Sequence, residues 1–224
     1  MRYNVLKFIL FLIFTFSYSN FSFSENEKKV TAIELIHSSE NSLKNLISNS
    51  ELTYLTEYLK NSRAILIFPE LYEGSLIFGA KAGNGILMIR NESSWSGPFF
   101  YSLGGVSVGL QFGVKVGKVV FTIMTDRGLK SLLKEKIKIG VDLNAAIAHK
   151  GIGYSAESTL RLADIYSFSE NKGLFLGGSF DGSFIQQRND FNSVYHGKKF
   201  TIDEILSDKE INLKQNKLIE ILNR

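Results

Sequence analysis

The chain of 224 residues contains no cysteine, two prolines (Pro69 and Pro98), one tryptophan and three histidines. Without cysteine there are no disulfides, no thiolate metal site and no lipid-acceptor thiol, so whatever folds must be held by its core. Scarce proline and plentiful Phe, Ile, Leu and Val exclude a disordered or low-complexity chain. His37, His149 and His196 have no ligand spacing, which leaves metal chemistry without a motif. No apolar run reaches the 18 residues or so that a membrane-spanning helix needs.

The longest such run is FILFLIFTF, residues 8–16, preceded by Arg2 and Lys7 and followed by SYSNFSFS. A basic head, a short apolar centre and a tail of small polar residues form the pattern of a secretory signal peptide. Residues 1–24 are therefore expected to direct export to the periplasm or medium, with cleavage after Ser19 or Ser24, and residues 25–224 to form one domain. Loss of Arg2 and Lys7 lowers the net charge from +4 to +2, too weak a surplus to suggest nucleic acid as a partner.

Apolar residues first recur at helical spacing: Ile33, Ile36, Leu43 and Ile47 share one face, and Ser50 is placed to cap a second helix carrying Leu52, Leu55 and Leu59. From Arg63 the pattern changes to strands. AILIF, SLIFGAKA, GILMIR, FFYSL, KVVFTIM, KIGVDLNAAIAH, IYSFS, GLFLGGSF and GSFIQQ are separated by Gly, Asn, Asp or Ser. Thr125 caps a middle helix with Leu129, Leu132 and Leu133 on its apolar side, and TIDEIL and NLKQNKLIEIL form a helical tail. Strands in succession with few helices between them imply an α+β fold: a mostly antiparallel, strongly curved sheet or barrel-like sandwich, flanked by N-terminal, middle and C-terminal helices.

In GGVSVGLQFGVKVG, residues 104–117, a glycine stands at every fourth position. As a helix the stretch would lose roughly 3 to 4 kcal/mol to its four interior glycines relative to alanine. As a strand it places Val106, Val108, Leu110, Phe112, Val114 and Val116 on one side, and Gly105, Ser107, Gly109, Gln111, Gly113, Lys115 and Gly117 on the other. The strand reading is preferred, with a coil or break at a glycine and close approach of another backbone on the bare side. Gly105-Val106-Ser107-Val108-Gly109 also matches the G-x-S-x-G of serine hydrolases, with Asp142 and His149 or Asp190 and His196 as partners. That motif requires a sharp strand-to-helix turn, whereas the alternation here runs straight through Ser107. Gly151 to Ala156 reads as a turn, since no crossover helix follows to make a dinucleotide loop, and Asp181-Gly182 reads as hairpin chemistry. No acid–base pair of carboxylates stands out, so the chain reads as non-catalytic, without cofactor or metal.

The succession Arg63 to Pro69, Gly83-Asn84-Gly85-Ile86-Leu87, Trp95-Ser96-Gly97-Pro98, GLQFG, Met124-Thr125-Asp126, Tyr166-Ser167, Lys172 to Gly177, Asp181-Gly182-Ser183, Arg188 to Asn192 and Tyr195-His196-Gly197 resembles the SYLF-domain family. The resemblance covers about residues 30–206, leaving 207–224 as the tail. It implies a lipid-binding module: eukaryotic members bind phosphoinositide-rich membranes, some bind actin, and many carry a Src-homology module, while bacterial members are exported. The chain departs from the pattern at Gly97, where alanine is usual, at Lys150 to Tyr154, and at Tyr195-His196-Gly197 in place of Tyr-Tyr-Gly. These departures, with no accessory module in the sequence, leave phosphoinositide choice and actin binding outside what the resemblance implies, and a general affinity for anionic phospholipid or a membrane surface within it.

The residues expected to serve that affinity are Lys28 and Lys29, which open the first helix, and Lys130, Lys134, Lys136 and Lys138, on and after the middle helix. Basic side chains near an anionic bilayer contribute about 1 kcal/mol each. Trp95, with Pro98, Phe99, Phe100 and Tyr101 close behind, is a candidate interfacial anchor, although core packing is the stronger reading. Two other functions are consistent with the pattern: a small outer-membrane β-barrel, and a serine hydrolase using Ser107.

Overall fold

A computed structural model describes residues 24–75, 78–91, 94–108, 113–139, 141–142, 145–147, 163–169, 180, 182–198, 204 and 217–223. Helix α1, Glu25–Ser48, begins at a capping box: the Ser24 hydroxyl accepts from the Glu27 amide and the Glu27 carboxylate accepts from the Ser24 amide. The bond from the Ser24 amide first, and the Ser24 hydroxyl beside it second, hold the Glu27 carboxyl below its ordinary range. Ile36 and Leu43 face the core as the spacing predicts. Ile33 does not; it is 41% exposed, because Ala32, Ile36, Ser39 and Leu43 define the buried stripe.

Helix α2, Leu55–Asn61, starts later than the sequence suggests, with Tyr54 at its N-cap and no side-chain cap. Ser50 lies in a turn upstream, and Leu52 packs only at the core's margin while Leu55 and Leu59 are buried.

The strands follow: β1 (Ala64–Ser75), β2 (Phe78–Arg90), β3 (Trp95–Val108), β4 (Gly113–Ile123), then helix α3 (Asp126–Leu132), β5 (Lys136–Lys138), β6 (Ala145–Ile147), β7 (Ile165–Ser169) and β8 (Phe184–Gln187). Helices α4 (Asn189–His196) and α5 (Lys217–Leu222) come last. Among the described residues the strands form one sheet in the order β5-β8-β3-β2-β1-β4-β7-β6, antiparallel except for β6 beside β7. It is strongly curled into a half-barrel, as the α+β reading requires.

Alternation sorts the strands' side chains into two cores. One, containing Leu66, Phe68, Leu87, Tyr101 and Phe121, also joins Ile137 and Ile185 near one edge to Ile165 near the other, which places it inside the curl; α3 seals it with Leu129 and Leu132. The second lies outside the curl, where Ile65, Ile67, Ile86, Phe100 and Val120 meet Ala32, Leu43, Tyr58, Phe191 and Leu218 from α1, α2, α4 and α5. A lipid-facing barrel has no place for helices over its outer wall, so the outer-membrane reading does not describe this sheet.

The glycine-rich stretch is strand on both sides of a break, as expected: β3 ends at Val108 and β4 begins at Gly113, with β2 and β1 lying between them in the sheet. One strand reading is corrected. KIGVDLNAAIAH divides into β5 and β6 around a turn at Val141 and Asp142, whose carboxylate accepts from the Lys138 amide at 2.7 Å. In β1, a bulge between Phe68 and Leu71 inserts one extra residue at Pro69-Glu70. Proline, lacking an N–H, is tolerated at such an irregularity. The bulge flips the alternation, so that Leu71 and Glu73 continue the inner face and Tyr72 the outer. Thr125 caps α3 as expected, accepting from the Gly128 amide at 2.9 Å. GLFLGGSF apart from Phe180, the 151–156 turn, Asp181, TIDEIL apart from Glu204, and residues 1–23 of the expected signal peptide lie outside the described residues.

Candidate functional site

The expected basic residues do not gather at one place. Lys28 faces α4, its Nζ 3.9 Å from Asp190, whose carboxylate is gripped by the Arg188 guanidinium at 2.9 and 3.0 Å. Arg188 first, and Lys28 more weakly, hold the Asp190 carboxyl below the usual range. Lys29 next to it is exposed, as are Lys130 on α3 and Lys134 in the turn that follows. Lys136 and Lys138 are also exposed, and they converge. On β5 they alternate with the buried Ile137, and both ammonium groups lie over the exposed ring of Phe184 on β8, 4.5 and 5.9 Å from its centroid.

Trp95 is not at the surface. It is 4% exposed in the outer core, covered by the Arg90 guanidinium 4.2 Å above its ring. Arg90 also donates to the carbonyls of Leu59 and Ser62 at the end of α2, so the pair ties that helix to the sheet. The interfacial-anchor reading is thereby corrected in favour of packing.

The register shows what surrounds the lysines. One row across the outer face of six strands runs Lys138, Phe184, Gly104, Ala82, Tyr72, Val116. The next row toward the strand ends contains Val106, Ala80 and Gly74. The row on the other side, toward α1, is polar: Lys136, Gln186, Ser102, Asn84. Helix α1 stops short of covering these rows. Thr31, Glu34, Leu35 and Ser38 on the helix and Tyr72, Ala82, Asn84 and Ser102 on the sheet instead bound an open groove of about 420 Å³. Val106 is 79% exposed, and Tyr72 and Val116 are about half exposed. Sequence reasoning placed Val106 and Val116 on one side of a strand without finding that side bare, and it passed over Tyr72 and Phe184.

On the inner face the bare glycine side does what the spacing suggests. A Cβ on Gly105 would stand 2.7 Å from the Ser183 hydroxyl and 3.1 Å from its Cα, so the residues before β8 close directly on β3.

The hydrolase reading finds no geometry. Backbone pairing continues through Ser107, opposite Gly79, with no turn into a helix. Asp190 is held by Arg188, and His196 Nε2 donates to the Pro98 carbonyl at 2.8 Å; His149 lies outside the described residues. Among the described residues no group of His, Asp or Glu is arranged to hold a metal ion, and no helix is long and apolar enough to cross a membrane.

Burial pushes the His196 imidazole below its ordinary 6.5, partly opposed by the bond to Pro98. A folded-state value below the unfolded one means that neutral His196 contributes stability above about pH 6.5, and that this contribution is lost as pH falls through and below that value. The unfolding midpoint is expected to fall between about pH 7.5 and 5, and the fall to be shallower in His196→Gln. Equal pH slopes in the two proteins would refute the assignment.

The fold is thus a curled sheet with helices on its outer wall, ending in a face that no other described residue covers, where two lysines flank an aromatic ring. Residues 104–224, more than half of the chain, match the family described as Ysc84, Las17-binding protein actin regulator. LAS seventeen-binding protein 3 of Saccharomyces cerevisiae is 30% identical over 159 residues, which cover 68% of this chain and 34% of that protein. Protein YSC84 of the same organism is 30% identical over 157 residues, 67% of this chain and 33% of the relative. SH3 domain-containing YSC84-like protein 1 of Bos taurus is 24% identical over 151 residues, 66% of this chain and 44% of the relative. The chain belongs to the Ysc84, or SYLF, family, and it spans about a third of the yeast relatives' length and under half of the bovine one. The family description and the first of these relatives are named for binding Las17.

Proposed function

We propose that this chain is an exported, non-catalytic lipid-binding module acting at a membrane surface, with anionic phospholipid or a phosphoinositide-like headgroup as its ligand. The observation that carries the proposal is the convergence of Lys136 and Lys138 over the exposed ring of Phe184, beside a sheet face that nothing else in the described chain covers. An aromatic ring with two ammonium groups suits the boundary between anionic headgroups and hydrocarbon. Lys130 and Lys134, exposed on α3 and in the turn that leads into β5, add charge. Export is supported by the basic, apolar and small-polar order of residues 1–24, and would be checked by fractionation with N-terminal sequencing of the mature protein.

Co-sedimentation with anionic vesicles tests the ligand. At about 1 kcal/mol per basic residue, neutralising two lysines weakens binding roughly thirty-fold, and the reversal Lys136→Glu with Lys138→Glu should do at least that. Rising salt should weaken the wild type in the same direction. Equal binding to neutral and anionic vesicles, or an unaffected double variant, removes the proposal. A protein ligand of the kind the relatives' Las17-binding names carry would instead leave vesicles unbound.

A further inference from the structure

We infer that the uncovered end of the outer sheet face is itself the surface that docks on a bilayer, with Val106, Val116, Tyr72 and Phe184 entering the interface and the strand ends pointing at the membrane. This rests on the lipid-binding reading above and adds which face docks, and which way up.

The argument is a gradient of polarity along the strands. At the strand ends the outer face presents Val106 and Ala80; the next row presents Phe184, Ala82, Tyr72 and Val116, with Lys138 at its β5 end; the one after that presents Lys136, Gln186, Ser102 and Asn84. Same-face rows are two residues apart, about 7 Å. The change from exposed apolar to charged and amide side chains therefore spans about the 5 to 10 Å over which an interfacial element passes from acyl chain to headgroup.

A protein partner would not require polarity to change in that order. Gly104, Ala82, Ala80 and Gly74 have little or no side chain, so the larger side chains Phe184, Tyr72, Val116 and Val106 stand clear of their neighbours on these rows. The basic groups sit toward the β5 edge of this face, Lys136 in the polar row and Lys138 at the end of the Phe184 row; the carboxylates beside it are engaged, Glu70 accepting from the Tyr72 hydroxyl at 2.7 Å and Asp142 from the Lys138 amide at 2.7 Å, while Glu34 borders the groove on α1. The basic start of α1 is less well placed to dock, because Lys28 is paired with Asp190 on α4.

The absence of native cysteine makes a direct test practicable. Val106→Cys, Phe184→Cys and, as a control on exposed α2, Asn61→Cys are each labelled with an environment-sensitive fluorophore and mixed with phosphatidylcholine vesicles carrying phosphatidylglycerol. The label at 106 and at 184 should brighten and shift to the blue, and the label at 61 should not. Val106→Asp with Val116→Asp should weaken vesicle binding at least ten-fold at an unchanged unfolding midpoint, since both side chains are solvent-facing. If the protein sediments with the vesicles while the labels at 106 and 184 report water, the docking face is wrong and the lipid reading survives. If the wild type does not sediment at all, the lipid reading fails and the docking face with it. A blue shift that appears without vesicles, as protein concentration rises, assigns the face to a second copy of the chain and overturns the inference.

Discussion

Asp164→Ala is expected to lower the unfolding free energy by about 2 to 4 kcal/mol, the cost of removing a buried, charge-assisted hydrogen-bonding hub. Asp164 has almost no exposure, yet its carboxylate accepts from the Thr125 hydroxyl at 2.6 Å and from the Arg127 guanidinium at 3.0 and 2.8 Å. Its carbonyl accepts from the Met124 amide at 2.9 Å. The Thr125 hydroxyl in turn accepts from Gly128, so one carboxylate orients the cap of α3 and ties that helix to the start of β7. Arg127 keeps access to water and is not stranded by the change, which holds the loss at the lower end for a buried pair. At 2 to 4 °C per kcal/mol for a domain of this size, the melting temperature should fall by about 5 to 15 °C. Asp164→Asn, which retains acceptor oxygen without charge, should lie between the two. A loss of less than about 1 kcal/mol in urea titration for the alanine variant would show that the hub is not a stabilising one.

Gly85→Ala should cost about 3 kcal/mol, at the upper end for overpacking, and Gly85→Val should leave little folded protein. The methyl of an alanine would stand 2.5 Å from the Ile67 carbonyl oxygen and 2.7 Å from the Phe68 ring, and the oxygen belongs to backbone that cannot swing aside. Gly85 pairs with Tyr101 in the middle of the sheet, two strands of which would have to separate to admit the new atoms. Soluble yield and the denaturation midpoint read the effect. A midpoint within error of wild type would mean that β1 yields more easily at its bulge than close packing implies.

The two residues differ in what the sequence says of them. Gly85 sits in a strand pattern where glycine signals close approach, so the pattern announced a constraint without naming the neighbour. Asp164 had no local signal at all, since Thr125 and Arg127 are distant in the chain. The Thr125 cap, the apolar side of α3 and the strands at Ile165–Ser169 and Phe184–Gln187 were legible because each is written in consecutive residues. The start of α2 was misread because Ser50 had the right chemistry for a cap while the chain spends Asn49 to Tyr54 in turns before the helix begins.

The candidate site divides in the same way. Lys136 and Lys138 were identifiable as members of a lysine cluster, but their convergence on Phe184 depends on β8 pairing with β5 across more than forty residues of chain. Trp95 was assigned a side only when the outer core closed around it, since an aromatic in a strand has the same sequence signature whether helices cover it or water does.

The residues in order were sufficient to establish an α+β domain with a curved, mostly antiparallel sheet, a stretch too rich in glycine for a helix, and a family membership, because these rest on periodicity, propensity and the succession of short motifs. Which parts of the sheet lie under helices and which face solvent was decided by tertiary structure. One inserted residue at the β1 bulge and the reach of α1 set that boundary, and neither is encoded in any single stretch of the chain.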